Sequence, residues 1–460
     1  MKGSFPMVDL RGKEPPAYYR KEAGVNPGET FLPRRHRFDR KDARIPFSLL
    51  LFYLLLEYGR PQDQIPFLSV LHLPAVTVAL LFFSVLFSGK FRLRGTQTFL
   101  FLGLLGLMVV HGPISVNNYW ALMVFITMTI NFIVFLSLTL FVDNEEKYEK
   151  LIKVWLSIHV ILALIGLMKG SGRGIGGFLG DENDFCMTMN MIIPFPFFLA
   201  MSEVGKKRIL YLGLTLTFLT VIILTQSRGG FVGLLATIIY CWLRTKKKVV
   251  TALLIAILAG FVLLIAPSSY WSEVRSIQEE GASKGTGAER VYTWGIGWHM
   301  FLDNPIMGVG QGNFPWVFKK YEFQATGSDE PFRGRSVAGR MAHSIYFTLL
   351  PELGLIGTLL FLGMVGMNIR DLNYIKKNTI QKQKQQKERS AGSKKYHLAL
   401  ALEGSMIAYL VSGAFISILY YPNFWFSMGF VISLKNIVIK NKNGSTTSTE
   451  KPVIDGRVFG

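Results

Sequence analysis

The chain has 460 residues, of which 50% are hydrophobic and 17% charged, and its formal net charge is +20. A water-soluble chain of this length would carry more charge and shorter apolar runs, so the composition excludes an ordinary soluble protein. Apolar runs of spanning length, about 17–25 residues, predict an all-α protein that crosses a membrane many times.

The predicted elements begin with a polar leader over 1–44, rich in proline and charge, which indicates a disordered cytoplasmic segment. Nine apolar segments follow within 45–266, and a long loop then occupies 267–341. Three more apolar segments fill 342–439, with a basic cytoplasmic loop at 370–396. The pattern predicts about twelve transmembrane helices, at 45–58, 69–88, 97–112, 119–142, 154–168, 185–202, 208–226, 229–243, 248–266, 343–369, 398–419 and 423–439.

Lysine and arginine recur in alternate loops of this predicted bundle, at 34–44, 90–94, 147–153, 206–208, 244–248 and 376–395. The positive-inside rule places these loops, the leader and the tail 440–460 in the cytoplasm, and the loop 267–341 outside it. The clusters at 34–44 and 376–395 are then expected beside anionic lipid headgroups. Because this accounts for the net charge, nucleic acid is not a predicted partner.

The long extracytoplasmic loop contains one clear helix signal. Thr286 and Glu289 fit a capping box, and Arg290 and Trp294 recur on one face four residues apart. The sequence Asp-Asn-Pro at 303–305 should end this helix. Near a helix start Arg290 favours a phosphate ligand, although a structural ion pair with Glu289 or with an acidic residue of the loop is the alternative.

Arg228 stands at the mouth of a predicted helix, between Ser227 and the pair Gly229-Gly230. A cation beside hydrocarbon is costly, which makes it a functional candidate, while snorkelling to the headgroups is the alternative. The glycines are interpreted as permitting close approach of the backbone to a ligand.

His343 opens the helix where the long loop re-enters the membrane. It is a candidate general base or a hydrogen-bonded cap.

Other patterns predict neither a metal site nor a cofactor. Cys186 and Cys241 both fall within predicted helices and lack partners at metal-ligand spacing. The acids within 181–184 are expected to be solvated. A G-x-G-x-x-G string within 170–177 follows no strand, which argues against a dinucleotide site.

In order and spacing these residues resemble the O-antigen ligase superfamily, which includes lipopolysaccharide ligases, polysaccharide polymerases and protein O-oligosaccharyltransferases. The resemblance covers about 45–435 and is most specific within 222–357. GFLGDEN at 177–183 is similar to the family's G-x-F-x-N-x-N stretch but departs from it at the Asp-Glu pair. The matching stretches are LTQSRGG at 224–230, Arg290 with Trp294, NPIMGVGQGNF at 304–314, AHSIY at 342–346, ELGLIG at 352–357 and EYGRP at 57–61.

The resemblance implies an inverting, metal-independent glycosyltransferase at the outer face of the bacterial inner membrane, with 267–341 as its catalytic loop. The donor would be a glycan on undecaprenyl diphosphate, and the acceptor a hydroxyl of lipid A-core, glycan or protein. Arg228 and Arg290 would clamp the diphosphate, and His343 would act as general base. The further substrate-binding residues that it implies are Arg340, Asn183 and Gln311.

Three functions remain open from the sequence. A ligase would transfer a finished glycan to its acceptor, whereas a polymerase would extend the glycan on its lipid carrier, and both would use the same arginines and histidine. A transporter or flippase should show inverted repeats and interrupted helices with charge near the membrane centre. The distinctive residues collect at one membrane face instead, which disfavours transport.

Overall fold

The computed structural model describes residues 44–89, 93, 95–169, 174, 176–265, 285–326, 332, 337–386 and 391–446. The predicted leader, apart from its last residue, and the end of the predicted tail lie outside this range. Within the described residues the regular elements are all helices, which confirms the predicted all-α class.

The principal helices, besides a π-helical turn at Leu55–Gly59 and two short helices at Pro61–Gln64 and Pro66–Val70, are numbered in chain order. They are α1 Arg44–Leu54, α2 Leu73–Phe87, α3 Thr96–Ile114, α4 Asn118–Phe141, α5 Glu145–Lys169, α6 Glu182–Ile192, α7 Pro194–Ser202, α8 Gly205–Leu224, α9 Arg228–Arg244, α10 Lys248–Ile265, α11 Gly285–Asp303, α12 Phe314–Thr326, α13 Tyr346–Gln386, α14 Ala391–Ser412 and α15 Pro422–Thr446.

Seven stretches of the described chain are long and apolar enough to cross a membrane, judged by length and composition. They confirm a polytopic membrane protein, while the total of twelve spans stays a prediction. The other predicted segments are helical too, but some are short: α2 has 15 residues and α9 has 17. The seven stretches are Thr96–Ile114, Asn118–Phe141, Glu145–Lys169, Glu182–Ser202, Gly205–Leu224, Tyr346–Gln381 and Lys394–Phe415.

Several predicted boundaries shift in the structure. The segment predicted at 185–202 forms two helices that meet at Ile193, because Pro194 and Pro196 remove backbone donors there. α13 continues to Gln386 through much of the predicted loop 370–396, whose lysines and glutamines are good helix formers. α11 begins at Gly285, so Thr286 lies inside its first turn, and the helix ends at Asp303 as predicted.

The glycines around Arg228 serve helix packing. A Cβ atom on Gly230 would lie 2.1 Å from Cys186 Sγ in α6, and one on Gly233 would lie 1.9 Å from Ser412 Oγ in α14. A Cβ atom on Gly229 would come within 2.7 Å of Phe415 Cβ. Small residues let membrane helices approach closely, so these contacts explain Gly229 and Gly230 without a ligand.

α13 is interrupted near its start, and the glycine-rich turn after α11 fills the interruption. Gly354 has φ 60° and ψ −161°, outside the helical region. The turn supplies replacement partners: Leu355 N donates to Pro305 O at 2.8 Å, and Val309 N donates to Pro351 O at 2.8 Å. The turn and the start of α13 therefore form one hydrogen-bonded unit.

Glu352 fastens the same turn through its side chain. Its carboxylate accepts hydrogen bonds from Gly312 N at 2.7 Å, from Phe314 N at 3.0 Å and from the Tyr420 hydroxyl at 2.6 Å. The Glu352 side chain is fully buried, so these donors replace the water that the carboxylate has lost. The contacts fix α11, which carries Arg290, relative to α13.

Candidate functional site

The start of α9 presents Arg228 as its first helical residue. Ser227 caps this helix, accepting a hydrogen bond from Gly230 N at 3.0 Å. The Ser227 hydroxyl in turn donates to Asn183 Oδ1 at 2.7 Å. The N-termini of α6 and α9 are thus joined side by side, and each adds partial positive charge to that of Arg228.

Asp181 caps α6 beside this junction. One of its carboxylate oxygens accepts from Asn183 N at 2.8 Å and from Asn183 Nδ2 at 2.9 Å. The side chain of Asn183, a predicted substrate-binding residue, is therefore held between Asp181 and Ser227. Its contacts indicate that Asn183 positions the two helix starts.

Arg290 lies in the second turn of α11, within electrostatic range of Arg228 and Asp181. Burial and the charge of Arg228 lower the pKa of Arg290, while the carboxylate of Asp181 raises it. A guanidinium keeps its charge in proteins, so two cations stand here in mutual repulsion. Such an arrangement favours binding of an anion, which relieves the repulsion and the loss of hydration.

His343 sits in a left-handed turn immediately before α13, with φ 46°. Two hydrogen bonds hold its neighbours. Trp294 Nε1 donates to Ala342 O at 2.8 Å, and Ile345 N donates to Gly413 O at 2.7 Å. A sparsely populated backbone conformation persists only where its surroundings impose it, as these contacts do here. Trp294, one turn after Arg290, thereby couples that arginine's helix to the histidine.

The electrostatic surroundings of His343 favour the neutral form of its imidazole. Burial lowers its pKa below the ordinary value, and the charges of Arg290 and Arg340 lower it further, while Asp181 raises it. A neutral imidazole can accept a proton, as a general base must. Arg290 therefore lies within electrostatic range of both Arg228 and His343, and Asp181 acts on Arg290 and His343 alike, while the catalytic roles of these residues stay predictions.

Arg340 is held at the edge of this cluster by an ion pair with Glu289. Half of the Arg340 side chain stays exposed. The ion pair that the sequence suggested between Glu289 and Arg290 is formed with Arg340 instead. Among the described residues, Glu289 is therefore engaged by Arg340 and not by Arg290.

Gln311, a predicted substrate-binding residue, has a structural environment. It is fully buried, and its Nε2 donates to Met108 O at 3.0 Å and to Ala121 O at 3.1 Å. Its Oε1 lies 3.0 Å from His111 Nδ1. The whole amide is used to hold the glycine-rich turn on α3 and α4, so these contacts give it no part in the cluster.

Asp184 and the two cysteines lie in structural surroundings. Asp184 accepts a hydrogen bond from the Tyr421 hydroxyl at 3.3 Å, and both Cys186 and Cys241 are free and buried. Across the described part of the chain, no three His, Cys, Asp or Glu side chains gather as metal ligands would.

Comparison with known families singles out the region that contains this cluster. Residues 213–362 match a family model described as O-Antigen ligase. The match includes Arg228, Arg290 and His343, whereas Asp181 and Asn183 precede it. A search of curated proteins found no match.

Proposed function

Because this chain belongs to the O-antigen ligase superfamily through residues 213–362, we propose that it is a glycosyltransferase. It moves a glycan from undecaprenyl diphosphate to an acceptor hydroxyl at the outer face of the bacterial inner membrane. The observation that supports this proposal is that Arg290 lies within electrostatic range of both Arg228 and His343. These residues come from α9, from α11 and from the turn before α13.

The two arginines hold the diphosphate. A guanidinium offers paired N–H groups that match phosphate oxygens, and the N-termini of α6 and α9 add favourable dipoles. Repulsion between Arg228 and Arg290 is relieved when the anion enters. It is relieved further as the glycosidic bond breaks, because the departing diphosphate gains negative charge.

His343 removes the proton of the acceptor. Its neutral imidazole accepts that proton as the acceptor oxygen attacks the anomeric carbon, opposite the diphosphate. The bond from carbon to the phosphate oxygen breaks, and the diphosphate leaves with the electron pair. Inversion follows from this geometry. Asp181 stabilises the imidazolium that forms, since its charge raises the pKa of His343.

The proposal is tested with purified protein, a polyprenyl-diphosphate-linked glycan and a lipid A-core acceptor. A ligase should release the lipid carrier and attach the glycan to the acceptor. A polymerase should instead lengthen the lipid-linked glycan when no other acceptor is present. Retention of donor and acceptor unchanged under both conditions would contradict the proposal.

The pH dependence of transfer should report the effect of neighbouring charges on the pKa of His343. Transfer requires the neutral imidazole, so the rate should fall as pH drops through a pKa below the ordinary value of about 6.5. Arg340→Gln should move this acidic limb to higher pH, because it removes a charge that lowers the pKa of His343. Asp181→Asn should move the limb to lower pH.

Arg340→Lys, which keeps the charge, is the matched control and should leave the limb in place. The measurement is kcat/KM across the imidazole range for the parent and the three variants. Shifts of equal sign in Arg340→Gln and Asp181→Asn would exclude this electrostatic assignment.

The proposed orientation places α12 outside the cytoplasm and the start of α8 inside. We expect a Lys320→Cys variant to react with a membrane-impermeant maleimide in intact spheroplasts, and a Lys207→Cys variant to react only after lysis. The natural cysteines are buried and give little background. Labelling in the reverse order would overturn the orientation and the site's proposed location.

A further inference from the structure

A cavity lies at the other end of α9 from Arg228. α9 has 17 residues, and a rise of about 1.5 Å per residue separates its ends by roughly 24 Å. The cavity has a volume of about 590 Å³ and is formed by residues of α7, α8, α9, α10, α13 and α14. This volume lies within the usual range for small-molecule sites, about 300–1,000 Å³.

Part of the cavity lining is cationic. Its lining includes Arg208, Arg244, Lys246 and Lys247, and none of its described lining residues is acidic. Arg208 lies in the first turns of α8, whereas the other three lie at the end of α9 and in the turn that follows. This charge suits a phosphate group.

A buried carboxylate fixes part of that cationic wall. Glu403 of α14 accepts hydrogen bonds from Arg244 Nη2 at 2.9 Å, from Lys376 Nζ at 2.8 Å and from the Tyr240 hydroxyl at 2.5 Å. Arg244 therefore has a defined position at the cavity wall. Because the Arg244 side chain is already ordered, less side-chain entropy is lost when a ligand binds beside it.

Another part of the cavity lining is apolar. Met201, Val250 and Ile380 line it and are partly exposed, and Leu400 forms part of its buried wall. A soluble anion would leave these surfaces in contact with water. A lipid would cover them with its acyl chains while its phosphate meets the cations.

We propose that this cavity binds an anionic phospholipid, separately from the site at Arg228, Arg290 and His343. The headgroup phosphate lies against Arg208, Lys246 and Lys247, and the acyl chains lie along Val250 and Ile380. The bound lipid joins the ends of α8, α9, α10 and α13, and thereby stabilises the folded protein.

The test uses the purified full-length protein in a neutral detergent, with thermal unfolding followed against ligand concentration. Phosphatidylglycerol should raise Tm, whereas phosphatidylcholine, glycerol 3-phosphate and inorganic phosphate should not at equal concentration. The double variant Lys246→Gln/Lys247→Gln should bind phosphatidylglycerol about 30-fold more weakly, given the usual contribution of each lysine near anionic lipid. Arg208→Gln gives a second, independent variant.

The matched control is Lys206→Gln/Lys207→Gln, which removes the same charge from the start of α8 outside the cavity lining. Its affinity for phosphatidylglycerol should stay within about twofold of the parent. Equal weakening in both double variants would indicate diffuse surface attraction and overturn the proposed site. Equal stabilisation by phosphatidylcholine, or by inorganic phosphate, would overturn it as well.

Discussion

Replacing His343 by alanine should reduce glycan transfer by about 10²–10⁴-fold, the usual contribution of a general base. Binding of the lipid-linked donor should persist, because the arginines that hold the diphosphate are unchanged. The measurement is single-turnover transfer by purified protein, with donor binding followed in parallel. His299→Ala, in an exposed position of α11, is the matched control and should retain the parent rate.

The left-handed backbone at His343 calls for a second variant. Alanine is disfavoured at positive φ, whereas asparagine tolerates it, so His343→Asn removes the base with less strain. Both variants should lose transfer while keeping protein level and donor binding. If either retains the parent's rate and pH profile, His343 is not the base, and Asp181 or Glu182 becomes the next candidate.

Replacing Arg228 or Arg290 by lysine should lower the transfer rate by about 10²–10³-fold at either position. Lysine keeps the positive charge but lacks the planar fork that binds two phosphate oxygens at once. The loss should include weaker donor binding, in contrast to the His343 variants. Transfer rate and donor affinity, measured on folded protein in the same membranes, distinguish the two roles.

Arg370→Lys provides the control for this substitution. Arg370 lies on α13 with its side chain 62% exposed and has only a loose ion pair with Asp371, at 3.7 Å. Its replacement should leave transfer unchanged. Normal transfer by Arg228→Lys and Arg290→Lys would rule out a bidentate clamp, and normal transfer by the alanine variants would rule out any role in the reaction.

The sequence predicted those parts of the site that depend on local patterns. Spacing along one helix placed Arg290 and Trp294 on one face, and a proline after Asp303 marked the end of that helix. The lengths of the apolar runs predicted the two helices that begin beside Arg228 and His343. In each case the structure is determined by interactions between residues that are close in sequence.

What the sequence missed depends on contacts between distant segments. Gln311 looked like a ligand residue, but its burial against α3 and α4 follows from how the turn docks. From the sequence, Asp181 is expected only to be solvated, because its proximity to Arg290 and His343 requires α6 to lie beside α9. Its N-cap position before α6 was the local signal that could have drawn attention to it.

The interruption of α13 also determines whether the long loop can be removed or exchanged without the helix that follows it. Within a bilayer, each backbone group without a partner costs several kcal/mol, and the turn at 304–314 supplies partners for the groups that Gly354 leaves open. Excising or exchanging that loop alone would leave those groups at the start of α13 without these partners. A functional chimera must therefore exchange 304–356 as one piece, together with the helix start that it completes.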